Sequence, residues 1–155
     1  MKKPMKHFLL LIAGVLMIGF VSSCKEEGPH KEDIVKLTAV INSTPTIPKV
    51  TSSAQGTGVF EYNKNTMELK YNINYQNITP TAITINNPGP AWQAGPILFE
   101  LAVNPTGNQI QGTKKLNTTE QAVLMAGTLY VNIVTKENIY GEIRGQIVPD
   151  TFGED

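Results

Sequence analysis

Regular alternation of apolar and polar side chains is the feature that most limits how this chain can fold. From residue 67 to residue 75, every second residue is apolar or aromatic, and the residues between them are Glu, Lys or Asn. Successive side chains of a strand point to opposite faces, so this segment predicts a strand with one buried and one solvated face. Similar patterns, which predict further short strands, occur in residues 34–41, 56–62, 81–86, 97–103, 129–133 and 143–147.

Turn-forming residues separate these segments. The run Asn63-Lys64-Asn65-Thr66 predicts a tight turn and therefore a hairpin, because Asn tolerates a positive φ. Residues 104–117 contain Pro105, Gly107 and Gly112 and are predicted to form a turn-rich loop.

One short helix is predicted near 118–126. Thr118 and Gln121 have capping-box spacing, and Gly127 lies where a glycine often follows a helix. About seven short strands and one helix predict an all-β fold, an antiparallel Greek-key β-sandwich or barrel.

The N-terminal segment predicts export. The first six residues contain three lysines, and the thirteen-residue apolar run 8–20 that follows is shorter than the roughly 20 residues of a membrane-spanning helix. Val21-Ser22-Ser23-Cys24 resembles a bacterial lipobox, whose cysteine is acylated, for example with palmitate, after the leader is removed. We therefore expect a signal peptide at 1–23 and a membrane anchor at Cys24.

The residues after Cys24 predict the final location. Lys25, Glu26 and Glu27 resemble the short surface-export signal of Bacteroidetes lipoproteins. We therefore expect an outer-membrane lipoprotein exposed at the cell surface, with the periplasmic face as the alternative. A signal peptide, a flexible tether, one folded domain and a disordered tail are expected at residues 1–23, 24–33, 34–149 and 150–155.

The charges and reactive side chains argue against several functions. The 13 basic residues balance the 13 acidic ones and are scattered, so no nucleic-acid partner is expected. The two histidines are His7 in the leader and His30 in the tether, so the folded domain has no histidine for a catalytic triad or a metal site. We expect a protein that is not an enzyme, with no catalytic residues, no metal and no cofactor.

The loop 86–96 contains the single tryptophan, Trp92, among prolines and glycines. An indole in such a loop can stack on a sugar or enter a partner's pocket, but it more often folds back and caps the open end of a sandwich. The candidate contact surface is this loop, with Asn87, Trp92 and Gln93 as its candidate binding residues, together with the adjacent loop 43–53.

Other polar and aromatic residues on the strands are expected to be structural. Glu142 and Arg144 share a face of the last strand, where a pairing or cross-strand contact is favoured over catalysis. Tyr130 is on the face opposite Leu129 and Val131 and is expected to be exposed. Three tyrosines share the apolar face of their strands and are expected in the core: Tyr62, Tyr71 and Tyr75.

Five segments in order resemble the CHRD (chordin-type) domain family. The C-terminal pair Leu129–Ile133 and Gly141–Ile147 is similar to the family's end signature, and further similar segments are 54–60, 69–73, 95–101 and 118–127. This resemblance covers residues 35–148 and implies an immunoglobulin-like or superoxide-dismutase-like β-sandwich.

The chain departs from that family at three positions. Many bacterial members have a His-x-His where this chain has Thr84-Ile85-Asn86, and a third histidine at the position of Val134. The resemblance therefore implies that any histidine metal site is degenerate here, although Thr84 and Asn86 can still pair by a hydrogen bond.

These observations predict a lipid-anchored, non-enzymatic binding or structural module of the cell envelope, with a cell-surface protein or glycan as partner. The alternative is a domain related to metal binding or redox chemistry. Such a site would depend on oxygen ligands, which favour hard ions such as calcium.

Overall fold

The computed structural model describes residues 33–150 of the chain. These residues form nine strands and one helix: β1 (Ile34–Asn42), β2 (Gln55–Asn63), β3 (Glu68–Gln76), β4 (Ala82–Asn86), β5 (Ile97–Val103), β6 (Gln109–Lys115), α1 (Thr118–Met125), β7 (Tyr130–Val134), β8 (Ile143–Gln146) and β9 (Val148–Pro149). Within this part of the chain, no helix has the length and apolar character needed to cross a bilayer.

All the strands belong to one antiparallel sheet in the order β5-β4-β7-β8-β1-β2-β3-β6, with β9 paired to β1. The two ends of this order approach each other, because the ammonium nitrogen of Lys114 in β6 lies 5.3 Å from the ring centroid of Phe99 in β5. The fold is therefore a nearly closed antiparallel barrel with one short helix, which confirms the predicted all-β class.

The barrel interior is filled by the alternating apolar residues of the strands. Residues from both halves of the sheet, including Leu37, Phe60, Ile85 and Ile133, are almost completely buried. Burial of each such side chain stabilises the fold by about 1.5–3 kcal/mol.

Two of the three tyrosines expected in the core are buried there. Tyr62 and Tyr75 are almost inaccessible and Tyr71 is half-buried. The hydroxyls of Tyr62 and Tyr75 have no hydrogen-bond partner among the described residues, and burial raises the pKa of both phenols.

The segment 104–117 is not the continuous loop that its prolines and glycines predict. Residues Gln109–Lys115 form β6, which pairs with β3 over seven residues. Its sequence has a single large apolar residue, Ile110, because β6 is an edge strand and most of its side chains face solvent.

The helix is present, but its N-cap differs from the predicted one. The Asn117 side chain accepts a hydrogen bond from the backbone N–H of Glu120, and the Glu120 carboxylate accepts one from the backbone N–H of Asn117. The capping box thus begins one residue before Thr118. Gly127 has a φ of +65° directly after the helix, as its position predicts.

Candidate functional site

The outer face of β4 and β7 is buried, although it faces away from the barrel interior. Thr84, Asn86 and Asn132 are each less than 5% exposed, and antiparallel pairing places Thr84 opposite Asn132. Buried polar groups are stable only when their hydrogen bonds are satisfied, so this face must be covered by other polar groups of the chain.

The loop between β4 and β5 supplies much of that cover. The Thr84 hydroxyl donates to Oδ1 of Asn86 over 2.6 Å, which confirms the predicted pairing of these two side chains. Nδ2 of Asn86 donates to the carbonyl of Gly95 over 2.9 Å, and the N–H of Gly95 donates to the Tyr130 hydroxyl over 2.9 Å. These bonds fix the C-terminal end of the loop on the sheet.

The loop between β7 and β8 covers the neighbouring part of this face. Nδ2 of Asn132 donates to the carbonyl of Tyr140 over 3.1 Å, while its Oδ1 atom is buried and accepts no hydrogen bond from residues 33–150. Gly141 follows with a φ of +119°, and a Cβ atom there would collide with the Asn132 side chain. A glycine is therefore required at 141 by both its backbone and its surroundings.

The three positions at which the family resemblance implies histidines lie on this one face. Thr84 and Asn86 share the outer face of β4, and Val134 lies on the same face of β7, opposite Ala82. Within residues 33–150, no group of three His, Cys, Asp or Glu residues is arranged to hold a metal ion.

The two predicted contact loops meet on the outer face of β7 and β8. They enclose a cleft of about 200 Å³, with Pro45 and Ile47 from one loop and residues 88–91 and Gln93 from the other. The cleft also has three polar residues from the adjoining strands: Tyr130, Arg144 and Gln146. Of the candidate binding residues, Gln93 lines this cleft, and the Asn87 backbone N–H donates to the Pro96 carbonyl at the base of its loop.

Trp92 lies between two cleft-lining residues, Ala91 and Gln93, and its side chain is 79% exposed. The interpretation that this indole folds back to cap the barrel end is therefore wrong. The ends of the loop are fixed by hydrogen bonds, whereas the indole projects into solvent.

The prediction that Tyr130 is exposed is also wrong. Its hydroxyl accepts the Gly95 N–H, and its ring lies 5.0 Å from the guanidinium carbon of Arg144. The ring is therefore enclosed between the loop and Arg144, because a loop distant in sequence folds over this strand. A cation–π contact of this kind is worth about 0.5–2 kcal/mol.

Glu142 connects the loop between β7 and β8 to the loop 43–53 at the edge of this region. Its carboxylate accepts hydrogen bonds from the Ser52 hydroxyl over 2.7 Å, the Thr135 hydroxyl over 2.8 Å and Nδ2 of Asn138 over 3.2 Å. Burial acts to raise the pKa of Glu142, but these three donors outweigh it and the pKa is lowered. Glu142 therefore pairs with two hydroxyls and an amide rather than with Arg144. Arg144 instead makes a cross-strand contact with the Tyr130 ring.

Residues 43–53 are held internally as well. The buried Thr46 hydroxyl donates to the Ser43 carbonyl over 2.7 Å and accepts the Val50 N–H over 2.9 Å. Together with the bond from Ser52 to Glu142, these contacts hold the backbone of the loop 43–53, which forms one wall of the cleft.

Sequence patterns did not identify Asn132 or the partners of Glu142. A signal for Asn132 was present, since it is the single polar amide in a strand that is otherwise apolar or aromatic, Tyr130–Val134. Cys24, Lys25, Glu26 and Glu27, predicted to be the lipid anchor and export signal, lie outside the described residues.

By its fold and its site, the chain is a small all-β barrel domain with a cleft that two loops form on an outer face. The CHRD domain matches residues 37–147 of this chain, and the chain belongs to the CHRD domain family. No curated protein and no solved structure matched the chain.

Proposed function

We propose that this protein is a non-enzymatic binding module whose partner contacts the cleft between residues 43–53 and 87–96. The observation that carries this proposal is the exposure of Trp92 on a loop whose ends are fixed. Tryptophan is enriched among the residues that dominate binding energy at protein interfaces. A fixed loop also loses little conformational freedom when the partner binds.

The chemistry of the cleft supports the same proposal. Arg144, stacked on the buried Tyr130 ring, places a cation in the cleft, and Gln93 adds a side-chain amide. Aromatic residues and arginine are the types enriched at interface cores. A cell-surface protein or a glycan is the partner that this combination suits.

The proposed place of action is the outer membrane, with the domain held at the cell surface through lipid on Cys24. The leader pattern and the four residues ending at Cys24 support this. Metabolic labelling with radioactive palmitate tests it. We expect label on the wild-type chain and none on a Cys24→Ser variant, which should leave the membrane fraction. Equal labelling of both chains would reject the anchor.

The binding proposal is tested by the fluorescence of Trp92, the single tryptophan of the chain. The purified full chain is titrated with separated protein and polysaccharide fractions of a Gram-negative cell envelope. A partner in the cleft covers the indole, so we expect a blue shift of its emission and less quenching by acrylamide.

A Trp92→Ala variant and a matched Val59→Ala variant complete the test. Val59 is also an exposed apolar side chain, but it lies on β2, away from the cleft. Retained binding by Val59→Ala and loss by Trp92→Ala, with unchanged melting temperatures, supports the proposal. Binding that leaves Trp92 fully accessible to acrylamide would contradict it.

A further inference from the structure

The outer face of β1, β2, β3 and β6 has a wide area without charge. Strand register places Lys36, Glu61 and Lys70 in one cross-strand row. On these four strands, the next three rows towards the end of β1 contain only Thr, Val, Asn and Gln, and beyond Asn42 the third row continues to Arg144 of β8. They are Thr38, Val59, Asn72 and Gln111, then Val40, Thr57, Asn74 and Gln109, then Asn42, Gln55 and Gln76. We refer to these eleven residues as the amide face.

A groove of about 500 Å³ crosses three strands within the amide face. Its walls are formed by the third row and by the second row without Gln109, and Asn108 is also part of its lining. The backbone of Ile41, Gly56 and Tyr75 lies between these rows, because the side chains of Ile41 and Tyr75 point into the core. The volume lies in the range of about 300–1,000 Å³ that is usual for small-molecule sites. We refer to it as the amide groove.

Much of the hydrogen-bonding capacity of this groove is unused. The side chains of Gln55 and Gln76 have no hydrogen-bond partner within residues 33–150, and both are exposed. Asn74 makes only a long bond of 3.4 Å, to Asn72. Each carboxamide offers two donors and one acceptor oxygen, a combination that matches the hydroxyl groups of a sugar.

The shape and composition of the groove favour an extended ligand without charge. Adjacent strands are about 4.8 Å apart, close to the length of one sugar unit in an extended chain, so successive strands can contact successive units. Val40, which is 72% exposed, provides an apolar contact for the C–H groups of a sugar ring. The amide face lacks the exposed aromatic residues and arginine that are enriched in protein interfaces.

We propose that the amide groove binds a short stretch of a linear, neutral glycan that crosses β1, β2 and β3. This site has no lining residue in common with the Trp92 cleft and goes beyond the function proposed above, although the two sites adjoin where Asn42 pairs with Arg144. Because no exposed aromatic ring is available for stacking, we expect weak binding, with a dissociation constant of roughly 1 mM.

The test is an NMR titration of the full chain, labelled with ¹⁵N, with neutral oligosaccharides of β-1,4-glucose, β-1,3-glucose and β-1,4-mannose. An oligogalacturonate serves as the acidic probe. We expect one neutral series to shift the side-chain amide signals of Gln55, Asn74 and Gln76. The double variant Gln55→Ala/Gln76→Ala should weaken binding at least fivefold, since each lost hydrogen bond weakens it roughly two- to tenfold.

Two control variants locate the site. Gln93→Ala removes an exposed amide from the other cleft, and Trp92→Ala removes its indole; both should retain glycan binding. The double variant changes only exposed residues, so its spectrum should remain that of a folded barrel. Asn74→Ala is a further, independent variant that should also lower the affinity for the glycan.

Each remaining outcome overturns the proposal. If no neutral oligosaccharide shifts these signals, the groove is not a glycan site. If Trp92→Ala abolishes binding and the double variant keeps it, the glycan belongs to the Trp92 cleft. Tighter binding of the acidic probe would contradict the proposal that the ligand is neutral. If the same signals broaden with rising protein concentration in the absence of sugar, the amide face is a surface for self-association.

Discussion

The two outer faces of this barrel use the same side chains in opposite ways. On β4 and β7, asparagine and threonine are buried beneath two loops and bonded to one another and to the backbone. On β1, β2, β3 and β6, asparagine and threonine lie with glutamine at the surface, exposed or half-buried, and the amides of Gln55 and Gln76 have no hydrogen-bond partner within residues 33–150. The position of a loop, rather than residue type, therefore decides whether an amide stabilises the fold or remains available to a ligand.

The two faces differ in the free energy that is lost when a polar side chain is substituted. A buried amide that loses its partner costs about 1–3 kcal/mol, whereas an exposed amide exchanges one partner for water at little cost. The covered face is consequently sensitive to substitution, and the amide face is tolerant. Three experiments, each with a pair of variants, test this contrast in order of decreasing expected effect.

The largest effect is expected at Gly141, in the loop between β7 and β8. Gly141→Ala places a side chain at a φ of +119° and against Asn132, so the free energy of unfolding should fall by about 3 kcal/mol. The control is Gly107→Ala, which has a φ of +85° but nothing within 4 Å of the added Cβ; it should cost about 1 kcal/mol. Urea unfolding measures both. Equal costs would show that Asn132 does not restrict position 141.

A matched pair of asparagines tests the contrast directly. Asn86→Ala removes the bond to Gly95 and leaves the Gly95 carbonyl and the Thr84 hydroxyl buried without that partner, so it should cost about 2 kcal/mol. Asn74→Ala, on the amide face, should change stability by less than about 0.5 kcal/mol. Thermal and urea unfolding of both variants provide the comparison. Similar losses for the two would contradict the distinction between the faces.

The smallest effect is expected in the pH dependence of stability, through Glu142. Its pKa is lower in the folded than in the unfolded chain, so its contribution is present above the ordinary carboxyl pKa of 4.5. That contribution is lost as the pH falls through the lower folded pKa. Glu142→Gln should therefore flatten the acid side of a plot of unfolding free energy against pH, and Ser52→Ala should flatten it partly. An acid limb of unchanged slope in Glu142→Gln would exclude this role.

Periodicity was sufficient to predict the strands whose buried face is apolar. It failed for β6, because an edge strand with one large apolar residue is specified by its pairing with β3 rather than by its own pattern. The helix cap was misplaced by one residue because Asn117 and Thr118 both suit a cap, and each has an acidic or amide residue three positions later.

The candidate site was also predictable only in part, because it depends on contacts between segments that are distant in sequence. Composition identified the loop of Trp92 and the loop 43–53, and the structure places both around one cleft. The burial of Tyr130 was not predictable, since it depends on Gly95, 35 residues earlier in the chain. Local patterns report which face of a strand is apolar, but not which loop covers its polar face.

The two ends of the described chain, Asp33 and Asp150, lie at the same end of β1, which bears on how an anchored barrel would be oriented. Asp33 is joined to the β2–β3 turn through its bonds to Lys64 and Asn65, and the N–H of Asp150 donates to the Lys36 carbonyl. The amide groove lies near the other end of β1, at Asn42, about 25–30 Å away at the usual rise per residue of a strand. If the proposed anchor on Cys24 holds the chain, it is joined to one pole of the barrel, and the amide groove lies towards the opposite pole.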